Sequence, residues 1–310
     1  MKLINRSLLV FIASVTLSSC TQKKSALVFQ TDFGLKDGAV SEMKAIAHGI
    51  DSRLPLYDLT HEIPVYNTWE AAYRLLQTAV YWPAGTVFVS VVDPGVGTMR
   101  RSVVMRSKTG HYFVTPDNGT LQFVAASLGI DEIREIDEKT NRRGNSSHSY
   151  TFHGRDVYAF TGARLAAGLI TYEEVGRRLP DSVVSFRFQK PTLQGDSILG
   201  NIPVLDPQFG NIWTNIPDSL FKNLNFKVGE DVMVTILKDA KIIFKGTVPL
   251  VNTFGEVPQG TTLAYMNSLM NFSLAINEAS FADSFKIESG PEWNVHVSRS
   301  SKNNIFAPRP

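Results

Sequence analysis

Residues 86 to 92, Thr-Val-Phe-Val-Ser-Val-Val, form an almost unbroken apolar run, and Asp-Pro-Gly-Val-Gly-Thr-Met-Arg-Arg follows at 93 to 101. A short run rich in β-branched and aromatic residues, closed by turn formers, predicts a buried strand. Asp93 then stands at the strand's carboxyl end. Pro94, Gly95 and Gly97 force a tight loop with exposed backbone. Open α/β sheets bind ligands at that edge. A second stretch, Thr-Phe-His-Gly-Arg-Asp at 151 to 156, offers a distant histidine. A carboxylate, an arginine seven residues on (Arg100) and His153 could meet there to orient and deprotonate one water. Arg100 is preferred to Arg101 by its register after the Gly97-Thr98 turn.

The surrounding pattern agrees with an α/β fold. Residues 26–30, 56–59, 102–106 and 112–115 read as further strands. Residues 40–49, 69–81, 121–128 and 156–168 have helical spacing. Strands alternate with helices, so this part is expected to be α/β with a largely parallel sheet. The character changes near Pro180. From Gly195 onward come short β-rich runs, including 197–200, 211–216, 231–237, 241–246, 262–266 and 272–276, punctuated by Gly, Pro, Asn and Asp. They predict a small antiparallel barrel or sandwich. The expected organisation is an α/β catalytic domain over 26–185 and a β-barrel domain over 195–310, in keeping with 310 residues.

The first residues read as an address rather than as fold. Lys2 and Arg6 precede the apolar stretch Leu8–Leu17, and Leu17-Ser18-Ser19-Cys20 follows. That is a signal-peptide layout over 1–19, too short for a membrane span. Cys20 is the chain's single cysteine. A small-residue run ending in a lone Cys resembles a bacterial lipobox, which implies lipidation at Cys20, a polar tether over 20–25 and an exported, membrane-anchored lipoprotein. With Cys20 lipidated, no thiol remains for catalysis or disulfides. Removing Lys2 and Arg6 leaves 29 basic against 29 acidic residues. Such neutrality argues against a nucleic-acid partner. No His/Cys cluster has metal spacing; His148 and His153 alone are not a zinc pattern.

Five motifs run in one order: Thr31-Asp32-Phe33-Gly34, Val92-Asp93-Pro94-Gly95-Val96-Gly97, Pro116-Asp117-Asn118-Gly119, Phe152-His153-Gly154-Arg155-Asp156 and Phe209 to Asn215. In these the chain resembles the S-adenosyl-L-methionine (SAM) hydroxide adenosyltransferases, or SAM hydrolases, relatives of the adenosyl-fluoride and adenosyl-chloride synthases. The resemblance implies an α/β domain followed by a β-barrel, with SAM as substrate and no cofactor or metal. It also implies a homotrimer with the site between subunits. The implied reaction is attack of water on the 5′ carbon of SAM, giving adenosine and L-methionine. Its alternatives are adenosyl halide synthesis, or adenosine or SAM binding without turnover.

Taken singly, Asp93 reads as a loop carboxylate, His153 as a packed histidine and Arg100 as a surface charge. The motif context makes them the catalytic set. The resemblance further implies that Asp32 holds the ribose hydroxyls, that Asp37 and Asp206 lie near the methionine amino group, and that Tyr66 stacks beside the ribose or adenine. Phe152 belongs to the same set through its motif. Phe209, Asn211 and Trp213 are implied at the adenine wall, with Phe254 and Ser268 as further contacts. Leu269 stands where the halogenating relatives have arginine, so recognition of the methionine carboxylate differs or uses backbone amides. Ala39 replaces a larger or hydroxylic residue. The halogenating relatives lack the Asp and His found here, and no long insertion follows Arg101. Both points favour water over halide.

Overall fold

The computed structural model describes residues 24–299. The expected signal peptide over 1–19, Cys20 and most of the expected tether lie outside the described residues.

The first part is a seven-stranded sheet between helical layers. In chain order it comprises β1 (Leu27–Thr31), α1 (Ala39–Ile50), β2 (Leu56–Thr60), α2 (Thr68–Ala79), β3 (Val87–Val91), β4 (Ser102–Ser107), β5 (Tyr112–Pro116), α3 (Gln122–Leu128), β6 (Ile130–Glu135), α4 (Phe160–Ala167) and β7 (Arg178–Leu179). Sheet order is β2-β1-β3-β5-β4-β6-β7. Both β1 and β3 are buried along their full length. The reason is coverage on both faces. Leu27, Phe29, Val87 and Val89 pack with Met43 of α1 and Ala163 of α4. Val28 and Phe88 point the other way, onto Leu75 of α2 and Val124 of α3.

The sheet is less parallel than the alternation of strands and helices implied. β2, β1, β3 and β5 are parallel neighbours. β4 pairs antiparallel with β5 and β6, and β7 antiparallel with β6. The cause is local. β4 and β5 are joined by a tight turn at Gly110, whose φ is +82°, and a short hairpin link permits only antiparallel pairing.

The second part contains β8 (Thr192–Gln194), β9 (Ser197–Asn201), β10 (Val204–Leu205), β11 (Ile212–Pro217), β12 (Asp231–Lys238), β13 (Lys241–Pro249), β14 (Thr262–Met266), β15 (Asn271–Ile276) and β16 (Trp293–Arg299). They make two antiparallel sheets, β10-β11-β15-β14 and β13-β12-β16-β9-β8. These face one another across a shared core that includes Ile212, Leu274, Val234, Val295 and Ile198. The expected barrel is therefore corrected: the two sheets are open. Outside their named strands they meet in a lone bridge, Leu250 with Ala264. Pro249 ends β13 without an N–H to prolong a ladder there.

Two hydrogen bonds tie the parts together. Trp69 Nε1 donates to Pro203 O and Arg74 Nη2 to Leu205 O, each at 2.8 Å. The connecting segment folds back so that Phe186 and Phe188 meet Trp69 edge-on. The Pro116–Gly119 motif serves this return. Asp117 Oδ1 accepts from Val184 N at 2.9 Å, and a Cβ on Gly119 would fall 2.3 Å from the Phe186 ring.

Helix α4 must lie close on the sheet to place the segment before it. A Cβ at Gly162 would sit 2.5 Å from Val89 Cγ2. Overpacking a close-packed interior costs about 1–3 kcal/mol. Gly162→Val is expected to lose that much stability, read as a lower urea midpoint at unchanged m-value. A midpoint at or above wild type contradicts this packing.

Candidate active site

The site begins with two neighbouring strands. β1 and β3 are in register, with Thr31 opposite Val91, so Asp32 and Asp93 emerge together at their carboxyl ends. The loop after β3 folds over itself: Thr98 Oγ1 donates to Gly95 O at 2.7 Å, and Gly97 takes φ +77°. This brings Arg100 back onto Asp93. Arg100 Nε donates to Asp93 Oδ1 at 2.9 Å and Nη2 to Oδ2 at 2.6 Å. The fork is nearly dry, with the side chains 11% and 6% exposed. Burial works against the guanidinium charge, but the bonds to Asp93 outweigh it and hold the Arg100 pKa above its ordinary value. The third edge of Arg100 donates to Ser102 Oγ at 3.0 Å, and that hydroxyl lies 3.1 Å from Tyr158 OH.

His153 reaches the same cleft from the other side. It precedes a wide π-helical turn over Gly154–Ala159 that runs into α4. Such turns are frequent at functional sites. Asp156, fully buried, anchors the turn by ion pairs to Arg143 and Arg155. Burial lowers the His153 pKa; Glu138 opposes this, and Arg100 and Arg142 reinforce it. The imidazole is thus neutral near pH 7. Its Nε2 lies 3.2 Å from Arg142 Nη2, and its buried Nδ1 has no hydrogen-bond partner among the described residues.

Asp32, Tyr66, Asp93, Phe152 and His153 line one cleft of about 190 Å3. Arg100 stands behind Asp93. Burial raises the Asp32 pKa; the Tyr66 amide, donating to Oδ2 at 2.9 Å, opposes this, and neighbouring Asp93 adds to it. Tyr66 takes a left-handed backbone, φ +66°, and the residue is 69% exposed at the mouth. Phe152 meets Phe33 edge-on at 5.8 Å. Asp37 is placed differently. It lies on the exposed approach to α1, where Oδ1 accepts from Ala39 N at 2.9 Å, and it does not line this cleft.

Asp206, Phe209, Asn211 and Phe254 line a second, larger cavity of about 800 Å3. Gly210 makes its turn possible: φ is +68°, and a Cβ would meet Ser280 Oγ at 1.9 Å. Trp213 and Asn211 approach the Tyr265 hydroxyl, whose pKa burial pushes up to about 12. Ser268 lies elsewhere, in a groove between the two parts with Tyr73, Phe188 and Leu269. No residue lines both the cleft and the larger cavity.

Several residues beside these sites have no signature in the sequence reading. Glu138 and Arg142, spaced i,i+4 and ion-paired, flank His153. Tyr158 and Ser102 back Arg100. Tyr265 joins Phe254 at 5.0 Å in the second cavity. No group of three or more potential metal ligands occurs among the described residues.

Comparison with known proteins now bears on this arrangement. The N-terminal domain model of the SAM hydroxide adenosyltransferases matches residues 27–176, and the C-terminal domain model matches 200–294. The chain belongs to the SAM hydroxide adenosyltransferase family. An (R)-S-adenosyl-L-methionine hydrolase of Methanocaldococcus jannaschii is 36% identical over 68% of this chain and 73% of its own length. A hydrolase of the same name from Thermus thermophilus is 33% identical, covering 84% and 96%. A fluorinase of Nocardia brasiliensis is 28% identical, covering 89% and 98%. An uncharacterized conserved protein from Thermotoga maritima, of known crystal structure, superposes with a TM-score of 0.80 at 34% identity, covering 88% of this chain and all of that one.

The Asp93–Arg100 fork has an energetic signature. Removing one partner of a buried ion pair costs about 3–5 kcal/mol, whereas replacing both is far cheaper. Arg100→Met is expected to destabilise by about 3 kcal/mol, and Asp93→Asn in the same chain to recover a large share of it. A double-mutant cycle from denaturant unfolding checks this; additive losses contradict the fork.

Proposed function

We propose that this chain hydrolyses SAM to adenosine and L-methionine, with water or hydroxide attacking the 5′ carbon. The observation that carries the reading is the meeting of Asp93, forked by Arg100, with neutral His153 in the cleft that Asp32 also lines. The sulfonium leaves as a neutral thioether, so the leaving group needs no acid. The nucleophile needs help, since free water has a pKa of about 15.7. A carboxylate beside a fixed guanidinium and an imidazole supplies a proton acceptor and oriented donors in a site shielded from bulk water. A halide needs no proton acceptor and is repelled by a carboxylate, so Asp93 favours water over adenosyl halide synthesis. The reading requires no cofactor or metal. In this reading Asp32 accepts from the ribose hydroxyls, with Tyr66 and Phe152 beside the sugar.

The site is proposed to be completed by another copy of the chain in a homotrimer. Pockets for ligands of this size span roughly 300–1,000 Å3, and the catalytic cleft is only about 190 Å3. The cavity lined by Asp206, Phe209, Asn211 and Phe254 has the missing volume and apolar wall. Tyr66 at one mouth and Phe209 at the other are 69% and 64% exposed, which suits faces that cover each other. A head-to-tail ring closes such a contact.

Asp93→Ala, Arg100→Ala and His153→Ala are each expected to lower SAM turnover by about 10² or more while adenosine still binds by calorimetry. Mixing Asp93→Ala and Asn211→Ala chains is expected to restore part of the activity, because some mixed interfaces combine two intact halves. Wild-type turnover in all three variants refutes the catalytic assignment. A persistently inactive mixture that has exchanged subunits refutes the shared site.

A further inference from the structure

A residue outside the three catalytic groups sets the state of one of them. Arg142 Nη2 lies 3.2 Å from His153 Nε2. A guanidinium has only donors and stays charged in proteins, so Nε2 must be the acceptor. A proton on Nε2 would face another donor head-on. Arg142 is not free to turn away: Nη1 donates to Ser149 O at 3.1 Å and Nη2 pairs with Glu138. Glu138 could otherwise have attracted an Nε2 proton, but its carboxylate lies 3.8 Å from Nε2 and is engaged by Arg142. That separation exceeds a hydrogen bond. The proton of the neutral ring therefore sits on Nδ1, the nitrogen without a partner among the described residues, on a side chain that lines the cleft.

We propose that Arg142 is a positioning residue that fixes His153 as the Nδ1–H tautomer with Nε2 occupied, so that His153 does not serve as the base and Asp93 takes the proton of water. The proposal rests on the hydrolase reading. In the step it describes, a water O–H bond breaks and its proton passes to the Asp93 carboxylate. The oxygen bonds to the 5′ carbon, and the carbon–sulfur bond breaks with its electron pair going to sulfur. The charged groups facing His153 are Glu138 and Arg142 on the preceding segment, with Asp93 and Arg100 across the cleft. Two cations and two anions leave burial to decide, and burial keeps the ring neutral.

The test is the tautomer itself, read by long-range proton–nitrogen correlation on histidine-labelled protein without substrate, above the imidazole titration. Wild type is expected to show a proton on Nδ1 and a bare Nε2. Arg142→Lys retains a donor and is expected to preserve this, whereas Arg142→Met is expected to lose it and titrate His153 at higher pH, since the charge of Glu138 is then no longer offset by Arg142. A wild-type proton on Nε2 overturns the proposal, and so does an Arg142→Met spectrum unchanged from wild type; should Arg142→Met fail to fold, the wild-type and Arg142→Lys spectra decide. SAM turnover on the same wild-type sample keeps the two claims apart. No turnover with Nδ1–H present refutes the hydrolase reading, while turnover with Nε2–H refutes the role of Arg142.

Discussion

Asp93 stands at the end of a buried strand with almost no water around it, and Arg100 makes that position tenable. An unpaired carboxylate there would be neutralised or would cost several kcal/mol. Much of the loop from Pro94 to Thr98 can be understood as the means of turning the chain so that the guanidinium arrives in fork geometry. The ion pair then limits what surrounds it. Ser102 and Tyr158 occupy the remaining edge of Arg100, and Tyr158 lies in the π-helical turn that follows His153. The carboxylate, its cation and the histidine are thereby built into one packed body rather than displayed on independent loops.

The sheet supplies the rest. Because β1 and β3 are parallel neighbours in register, the aspartates after them share one edge, and Asp93 adds to the cost of charge on Asp32. That suits different tasks: Asp32 turns toward the Tyr66 backbone and the mouth, while Asp93 is held by Arg100. The two cavities are unequal. The cleft beside Asp93 is small; the second cavity is larger, with Phe209, Phe254 and Tyr265 in its wall.

Legibility in the sequence followed the physics of each feature. Thr86–Val92 and Asp93 could be read because burial on both faces leaves a continuous apolar run, and glycines mark the loop. The antiparallel pairing beyond β5 could not, because hairpin length rather than periodicity reverses β4. Barrel and open sheets differ only in whether edge backbones bond, which no alternation encodes. β16 went unread although Trp293, Val295 and Val297 alternate with polar residues, because no turn signal isolates it from its flanks; it sits between β12 and β9. Glu138 and Arg142 carry no motif, since tertiary packing alone brings them to His153. The family resemblance pointed to the second cavity, whose residues singly looked like turn and core positions. Asp37, Trp213 and Ser268 line neither the cleft beside Asp93 nor the larger cavity.

Labelled water addresses the central claim most directly. Incubating the protein with SAM in 18O-water without halide, with products resolved by mass, reports which atom attacks the 5′ carbon. The account predicts adenosine carrying one 18O at its 5′ hydroxyl and methionine carrying none. Intact SAM, adenosine without label, or turnover that appears only when halide is added and yields a 5′-halogenated nucleoside would contradict it.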